Sequence, residues 1–277
     1  MAGHLLAAGH SLVLYTRTKK RAEALLNRGA TWASSPAEAA TAADIVFLCV
    51  TDTPDVETIV LGERGLLHAA RQGLVIVDHS TISPSTTRRL ADTLADKGTH
   101  FLDAPVSGGD IGARNATLSI MVGGDQPAYE HALPLLQLMG KTITHCGQSG
   151  NGQLTKLVNQ VLVSVTNLAV CEALTFAINN GLNPQKTIQA ISGGAAGSWQ
   201  LNNLGPKMIA KDFAPGFMID LQQKDLRLVL QAAGESLTSL PATSLVHQLL
   251  TAAQAEGRGK EGPQALFAVL SRLANRE

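Results

Sequence analysis

Short, unbroken apolar runs recur through the first half of the chain and stop before Gly152. The clearest are Asp44–Val50 and Leu74–Asp78, which have the length of buried strands rather than of helices. Segments with helical spacing lie between the runs, as in Gln126–Leu138. Strands that alternate with helices in this way indicate βαβ units. We therefore predict an α/β fold with a Rossmann-like, doubly wound parallel sheet.

Helical spacing replaces the strand pattern from Gly152 to the end of the chain. No linker rich in Ser or Pro separates the two halves, so we predict a Rossmann-like domain over residues 1–147 and an all-helical domain over 148–277. Long apolar helical faces suit contacts between subunits, and we expect a homodimer or homotetramer. The predicted helices are Gln153–Asn180, Pro184–Ile191, Trp199–Ala210, Leu221–Gly234, Ala242–Glu256 and Pro263–Ala274.

The charges of the chain balance, because Lys+Arg and Asp+Glu both number 22. Such a chain has no overall attraction to nucleic acid or to an anionic membrane, and we expect no apolar run of transmembrane length. The cysteines, Cys49, Cys146 and Cys171, form neither a metal-ligand spacing nor a disulfide framework. We therefore predict a cytoplasmic protein without a metal site.

Ligands of an open parallel sheet bind outside the carboxyl ends of its strands. The loop Thr16–Thr18 lies at such an end, where an acidic residue would hold the ribose 2′-hydroxyl of NAD. No acid is present there, and Arg17 would suit the 2′-phosphate of NADP. An ordinary polar turn is the alternative. We predict NADP as the cofactor, with NAD as the second choice.

Three further loops follow predicted strands, at 50–55, 79–82 and 107–109. Asp78–Thr81 suits either a capped helix entry or hydroxyl groups that face a cofactor. Ser107-Gly-Gly suits either a plain turn or a carboxylate site built from a hydroxyl and exposed backbone N–H groups. Asp103 has the character of a structural residue, and we assign it no catalytic role.

Three polar side chains interrupt the apolar helix that begins near Gly152. Lys156, Asn159 and Gln160 are spaced i, i+3 and i+4, so their side chains leave one face together. Gly152 is one turn earlier and is expected to leave space beside the lysine. A lone helical lysine is most often a solvated surface residue. The pair Lys224-Asp225 has the same ordinary interpretation.

Together these residues resemble the β-hydroxyacid dehydrogenase family. Asp103-Ala-Pro-Val-Ser-Gly-Gly-Asp-Ile-Gly-Ala113 is similar to the substrate-binding signature of that family, and Gly152-x-x-x-Lys156-x-x-Asn159 to its catalytic signature. Phe213–Phe217 and Lys224-Asp225-Leu226 also fall where the family has them. The family includes 3-hydroxyisobutyrate dehydrogenases and 2-hydroxy-3-oxopropionate reductases. The resemblance runs from Met1 nearly to the C-terminus.

The resemblance implies hydride transfer between NADP(H) and a short 3-hydroxy or 3-oxo acid, with residues 1–147 as the NAD(P)-binding domain and residues 148–277 as the substrate and dimerisation domain. It implies that Lys156 is catalytic, that Ser107, Gly108 and Gly109 hold the substrate carboxylate, and that Asn159 orients the reacting oxygen. Gln160 is assigned to the substrate site and replaces a second Asn, as in 2-hydroxy-3-oxopropionate reductases. The implied cofactor-binding residues are Arg17, Thr18, Val50, Thr51, Asp55, Thr81 and Lys224.

The chain departs from the family pattern at its start. The family begins with a strand and a Gly-x-Gly-x-x-Gly turn, whereas Met1 aligns inside the following helix. The absent piece is one strand and one turn, roughly a dozen residues. We expect the chain as written to fold poorly or to bind NADPH weakly, and an upstream extension that supplies this piece to restore both.

Two other functions compete with a β-hydroxyacid dehydrogenase. A 6-phosphogluconate dehydrogenase-like enzyme has a His-Asn pair after the lysine, where this chain has Asn159-Gln160. An imine reductase is disfavoured because that class usually lacks the lysine. From a different class, the chain could be a non-catalytic oligomeric binding module, but no structural need explains its Lys156, Asn159 and Ser107.

Overall fold

The computed structural model describes residues 1–274, so the last three residues of the predicted helical domain lie outside the described residues. The chain divides into two compact units, Met1–Lys156 and Leu157–Glu277. The functional boundary expected near residue 147 stays a prediction.

Parallel strands form the centre of the first unit, as the apolar runs predict. The central three strands pair in register, with Val46 opposite Ile76 and Ile76 opposite Phe101. All four residues of the middle strand are buried, which explains its unbroken apolar sequence. In chain order the strands are β1 (Val13–Leu14), β2 (Thr31–Trp32), β3 (Ile45–Leu48), β4 (Val75–Asp78), β5 (His100–Asp103), β6 (Val106–Ser107), β7 (Leu118–Val122) and β8 (Gly140–His145).

The sheet is mixed rather than wholly parallel. The chain turns after β5 at Ala104-Pro105, and β6 runs antiparallel to β7, which itself runs parallel to β8. A bridge between Asp103 and Gly123 joins β5 to this second group of strands. Within residues 1–274, the β1–β2 pair forms no ladder with β3. The additional strand and glycine-rich turn expected before Met1 stay predictions.

Seven α-helices accompany the described strands of the first unit, the first of them before β1 and the others between strands. Most begin at a side-chain cap followed by proline, as at Ser83-Pro84, where the Ser83 hydroxyl accepts from the N–H of Thr86. The sequence analysis missed β2, α3 and α6, which are too short to show a period. The helices are α1 (Ala2–Ala7), α2 (Glu23–Leu26), α3 (Pro36–Ala40), α4 (Thr53–Leu61), α5 (Pro84–Ala95), α6 (Gly109–Asn115) and α7 (Gln126–Leu136), with 3₁₀ turns at Lys19–Ala22 and Leu66–Ala69.

The second unit is helical throughout its described part. Its core is built from buried aliphatic side chains such as Leu174, Leu226 and Leu250. The single helix predicted over Trp199–Ala210 is broken, because Pro206 lacks an N–H and restricts the residue before it. The helices are α8 (Asn151–Asn179), α9 (Pro184–Ile191), α10 (Trp199–Asn203), α11 (Gly205–Ile209), α12 (Ile219–Glu235), α13 (Pro241–Ala255) and α14 (Leu266–Leu273), with a 3₁₀ turn at Pro263–Ala265.

Helix α8 begins in the first unit and contributes most of its length to the second. By length and composition it could cross a membrane, so the expectation that no apolar run reaches that length is wrong. Its residues Leu168, Cys171 and Leu174 nevertheless lie in the core of the second unit. A core helix of a folded domain passes the same test of length and hydropathy, which explains the apolar sequence without a bilayer.

Candidate active site

Two of the predicted cofactor loops lie side by side. β3 and β4 are parallel neighbours whose carboxyl ends, Leu48 and Asp78, are paired in register. The backbone N–H of Val50 donates to the Ser80 hydroxyl at 2.9 Å, and the N–H of Ser83 donates to the Thr53 hydroxyl at 3.1 Å. The loops that contain Thr51 and Thr81 therefore form one hydrogen-bonded surface at this edge of the sheet.

The third predicted cofactor loop also reaches this surface. Arg17 follows β1, and its guanidinium lies 3.3 Å from the carboxylate of Asp55 in the first turn of α4. The Arg17 side chain is 78% exposed, so this ion pair contributes little stability and leaves the guanidinium in contact with water. Thr18 stands at the N-cap position of the 3₁₀ turn that follows, without a side-chain capping hydrogen bond. The structure thus brings Arg17 and Asp55 together, with Thr18 next to Arg17 in sequence.

A buried histidine, which the sequence analysis did not single out, supports the Asp78–Thr81 turn. The ring of His79 stacks on Phe47 with an interplanar angle of 4°, and its Nδ1–H donates to the carbonyl of Ala104 at 2.7 Å. Burial lowers the pKa of His79 to about 4, so the ring is neutral at physiological pH. His79 therefore acts as an uncharged packing element beneath the loop.

The predicted carboxylate site lies where β6 meets α6. Ser107 ends β6, and Gly109 begins the helix. Gly108 and Gly109 have φ angles of 124° and 63°, a region that favours glycine. Both glycines are exposed. The positive φ angles explain why the motif carries glycine at both positions after the serine.

A buried carboxylate anchors the first turn of α8. The Oδ1 of Asp103 accepts from the N–H of Gly150, and its Oδ2 accepts from the N–H of Gln153, both at 2.8 Å. Burial raises the pKa of the Asp103 carboxyl, and these backbone N–H groups oppose that rise. Asp103 is fully buried at the end of β5, which agrees with a structural role.

Gly152 does not leave a gap beside Lys156, contrary to the expectation from sequence. A Cβ at this position would lie 2.6 Å from the carbonyl oxygen of Asp103 and would also collide with that of Met121. The missing side chain lets α8 approach the backbone of β5 and β7. Gly152 is therefore a packing residue of the helix start.

Gln153, next along α8, is a residue that the sequence analysis missed. Its side chain is fully buried, its Nε2 donates to the carbonyl of Ser80 at 2.8 Å, and its Oε1 accepts from the N–H of Ile82 at 3.1 Å. The signal available in the sequence was its position one turn before Lys156 on an apolar helix. Its contacts connect α8 directly to the loop that contains Thr81.

Neither candidate lysine is a solvated surface residue. Lys156 is only 7% exposed on α8, and the side chain of Lys224 on α12 is only 12% exposed. The Nζ of Lys224 lies 2.7 Å from the Oδ1 of Asp225. Burial of a lysine is uncommon and requires a partner or a function. The ordinary interpretation that the sequence offered for both lysines is therefore wrong.

A chain of polar side chains continues from Lys224 within the second unit. The Oδ2 of Asp225 accepts from the Nε2 of Gln160 at 2.5 Å, and the Oε1 of Gln160 accepts from the Nδ2 of Asn159 at 2.9 Å. Gln160 is almost fully buried, and both ends of its amide are engaged. The chain fixes the orientation of Asn159, which lies one helical turn after Lys156.

Two family descriptions match the chain and together cover most of it. Residues 1–147 match the NAD binding domain of 6-phosphogluconate dehydrogenase. Residues 150–270 match the NAD-binding domain of NADP-dependent 3-hydroxyisobutyrate dehydrogenase. The second match covers α8 with Lys156 and Asn159, and it also covers Lys224.

Similar proteins are known in both sequence and structure. The chain is 44% identical over 275 residues to the 2-hydroxy-3-oxopropionate reductase of Escherichia coli K12, which covers 99% of this chain and 94% of the relative. A Mycobacterium tuberculosis 3-hydroxyisobutyrate dehydrogenase solved with L-serine superposes with a TM-score of 0.88 at 31% identity, over 97% and 94% of the two chains. Psf3, solved with NADP⁺ and 2-OPP, gives a TM-score of 0.88 at 25% identity with the same coverage.

The parallel strands, the adjoining loops and these matches define an NAD(P)-dependent dehydrogenase that acts on CH–OH groups. The chain belongs to the β-hydroxyacid dehydrogenase family.

We predict that Gly152→Ala displaces the start of α8. A methyl group there meets backbone oxygens that cannot rotate away, so unfolding in urea should show a loss of about 1–3 kcal/mol. Gly234→Ala is the matched control. Gly234 lies in α12 with nothing within 4 Å of an added Cβ, and this change should stabilise the protein by about 0.5–1 kcal/mol. Equal effects of the two variants would contradict the packing role of Gly152.

Proposed function

We propose that the chain catalyses reversible hydride transfer between NADP(H) and C3 of a short 3-hydroxy or 3-oxo acid. The observation that carries the proposal is the buried Lys156, one helical turn from an Asn159 whose amide is held by Gln160. A buried lysine and an oriented amide suit a reacting oxygen that gains or loses a proton. The activity proposed is that of a 2-hydroxy-3-oxopropionate reductase or a 3-hydroxyisobutyrate dehydrogenase-like enzyme.

The residues at the sheet edge fit a dinucleotide. The hydrogen bonds between Val50 and Ser80 and between Thr53 and Ser83 hold two strand-end loops against each other, with the exposed Thr51 beside them. When bound, the nicotinamide supplies or accepts the hydride. The cofactor-binding residues proposed here are Arg17, Thr18, Val50, Thr51, Asp55, Thr81 and Lys224.

The preference for NADP rests on Arg17. Its exposed guanidinium lies beside Asp55 in the cofactor loops, and no acidic residue occupies 15–18. Guanidinium groups bind phosphate oxygens in a bidentate fashion, whereas a ribose hydroxyl would need an acceptor. The NADP⁺ bound to Psf3 in its solved structure supports the same choice.

The substrate carboxylate is proposed to bind at Ser107, Gly108 and Gly109. Lys156 donates a proton to the forming alkoxide in reduction and accepts it in oxidation. Asn159 orients the reacting oxygen, and the carboxylate site fixes which face of the carbonyl meets the hydride. Because both ends of its amide are engaged, Gln160 is proposed to serve the substrate site by holding Asn159 in place.

The substrate proposal rests on the 44% identical Escherichia coli 2-hydroxy-3-oxopropionate reductase and on Gln160. A panel that includes 2-hydroxy-3-oxopropionate, glycerate and 3-hydroxyisobutyrate tests it by comparing kcat/KM. A non-catalytic binding module is the alternative from another class. NADPH binding without turnover of any acid in the panel would favour the module.

We predict that Lys156→Ala lowers kcat by at least ~10²-fold, because proton transfer to the alkoxide loses its donor. The affinity for NADPH, measured by its fluorescence, should change little. Lys141→Ala removes a lysine that is exposed on β8 and serves as the control. Near-normal turnover of the Lys156 variant would remove this residue from the mechanism.

Arg17→Asp should abolish most of the preference for NADPH over NADH, because the 2′-phosphate would face a carboxylate. The ratio of kcat/KM for the two cofactors is the measurement. Arg21→Asp changes the net charge equally at an exposed position close in sequence, and should leave the ratio nearly unchanged. A protein that uses NADPH and NADH equally well before mutation would refute the preference.

We further propose that the protein is a cytoplasmic homodimer or homotetramer. Three apolar side chains of α8, Val158, Leu162 and Phe176, are more than 60% exposed and lie on one face of the helix. An apolar stripe of this kind suits a contact between copies.

Leu162→Lys should reduce the mass measured by sedimentation, whereas Leu237→Lys, at another exposed leucine, should not. Cell fractionation tests the location.

A further inference from the structure

We propose that Gln153 is a positioning residue for hydride transfer, because its amide fastens the Ser80–Ile82 loop to the first turn of α8. The inference rests on the proposed function, which places the cofactor at Thr81 and the proton donor at Lys156. The proposed role of Gln153 is to fix the distance and angle between the loop and the lysine.

The contacts of the Gln153 amide determine its orientation. One partner is the Ser80 carbonyl, which can only accept, and the other is the Ile82 N–H, which can only donate. The amide NH₂ and C=O groups therefore each have a single consistent placement. These two partners lie on either side of Thr81, so the side chain holds the backbone of that residue from both directions.

The Ser80–Ile82 loop, which Gln153 binds, is itself hydrogen-bonded to the loop after β3. The Ser80 hydroxyl accepts from the N–H of Val50, and the N–H of Ser80 donates to the Asp78 carboxylate at 2.9 Å. A shift of Ser80 would therefore move the loop after β3 as well. Gln153 therefore connects the loop after β4 to α8 directly, and the loop after β3 to α8 through Ser80.

The backbone of Gln153 is fixed independently of its side chain. Its N–H donates to the Asp103 carboxylate, which also binds Gly150. Lys156 follows on the same face one turn later, about 4.5 Å along the helix axis. Because a helix is stiff over one turn, the placement of Gln153 is passed on to the lysine. Hydride transfer is sensitive to such placement, and a ~1 Å error can cost ~10²-fold in rate.

A purely stabilising role for a buried amide is the competing explanation. Thr99 supplies a matched comparison within the same unit. It is 1% exposed, and its hydroxyl accepts from the N–H of Arg71 and donates to the Arg71 carbonyl, both at 2.9 Å. Like Gln153, Thr99 makes one hydrogen bond to a backbone N–H and one to a backbone C=O. Thr99, however, precedes β5, at the opposite end of the strands from the cofactor loops.

The experiment compares Gln153→Met with Thr99→Val in the full-length chain. Each change keeps the approximate shape and removes both hydrogen bonds, so the two proteins should lose similar thermal stability. Single-turnover hydride transfer from NADPH to the fastest oxo acid of the panel should fall at least ~10-fold in Gln153→Met only. The KM for the acid should change less than ~3-fold, and the primary deuterium isotope effect on kcat with C4-deuterated NADPH should rise.

Equal rates of hydride transfer in the two variants, or a change confined to KM, would overturn the positioning role. If the unmodified protein reduces none of the acids, the proposed function fails separately. Hydrogen exchange at the Ile82 amide then tests whether the Gln153 side chain holds the Ser80–Ile82 loop. Faster exchange in Gln153→Met alone supports it, and exchange equal to that of Thr99→Val overturns it.

Discussion

The buried carboxylate of Asp103 is the interaction on which the arrangement of the first unit depends. Asp103 ends β5, its backbone forms a bridge with Gly123 beside β7, and its carboxylate accepts N–H groups from Gly150 and Gln153 at the start of α8. The first turn of a helix has unpaired N–H groups and a partial positive charge, and a carboxylate satisfies both. Hydrogen bonds to a charged acceptor are each worth about 1.5–3 kcal/mol. One residue thus joins two groups of strands through its backbone, and joins them to the helix that carries Lys156 through its side chain.

Glycines make this junction close enough to form. A Cβ at Gly152 would meet the backbone of Asp103, and a Cβ at Gly123 would meet the Asp103 carboxylate. The helix start and the strand ends therefore approach without intervening side chains. The residues that follow on α8 inherit the position of its first turn, which suits the role proposed for Lys156. Gln153 adds the loop 80–82 to the same rigid group.

A second chain of polar contacts runs from Lys224 through Asp225 and Gln160 to Asn159, and it consists of side chains that satisfy one another. Each buried amide or charge in it has a partner, which avoids the cost of an unsatisfied polar group. The chain holds Asn159 at a defined orientation on α8. It also explains how a glutamine at position 160 can be accommodated, because its longer side chain reaches the carboxylate on α12.

The sequence by itself determined the fold class, because short, unbroken apolar runs such as Leu74–Asp78, alternating with helical segments, are typical of strands buried on both faces. It also determined the face of α8 that carries Lys156 and Asn159, because helical spacing fixes which side chains point together.

Only the tertiary structure decided what those residues contact. Periodicity does not identify partners distant in sequence, so the hydrogen bonds from Gln153 to residues 71 and 73 positions earlier could not be foreseen. The reversal of β6, the burial of Lys224 and the close packing of Gly152 against β5 were hidden for the same reason. Each depends on which backbone atoms the folded chain brings within a few ångströms, and one-dimensional spacing contains no such distances.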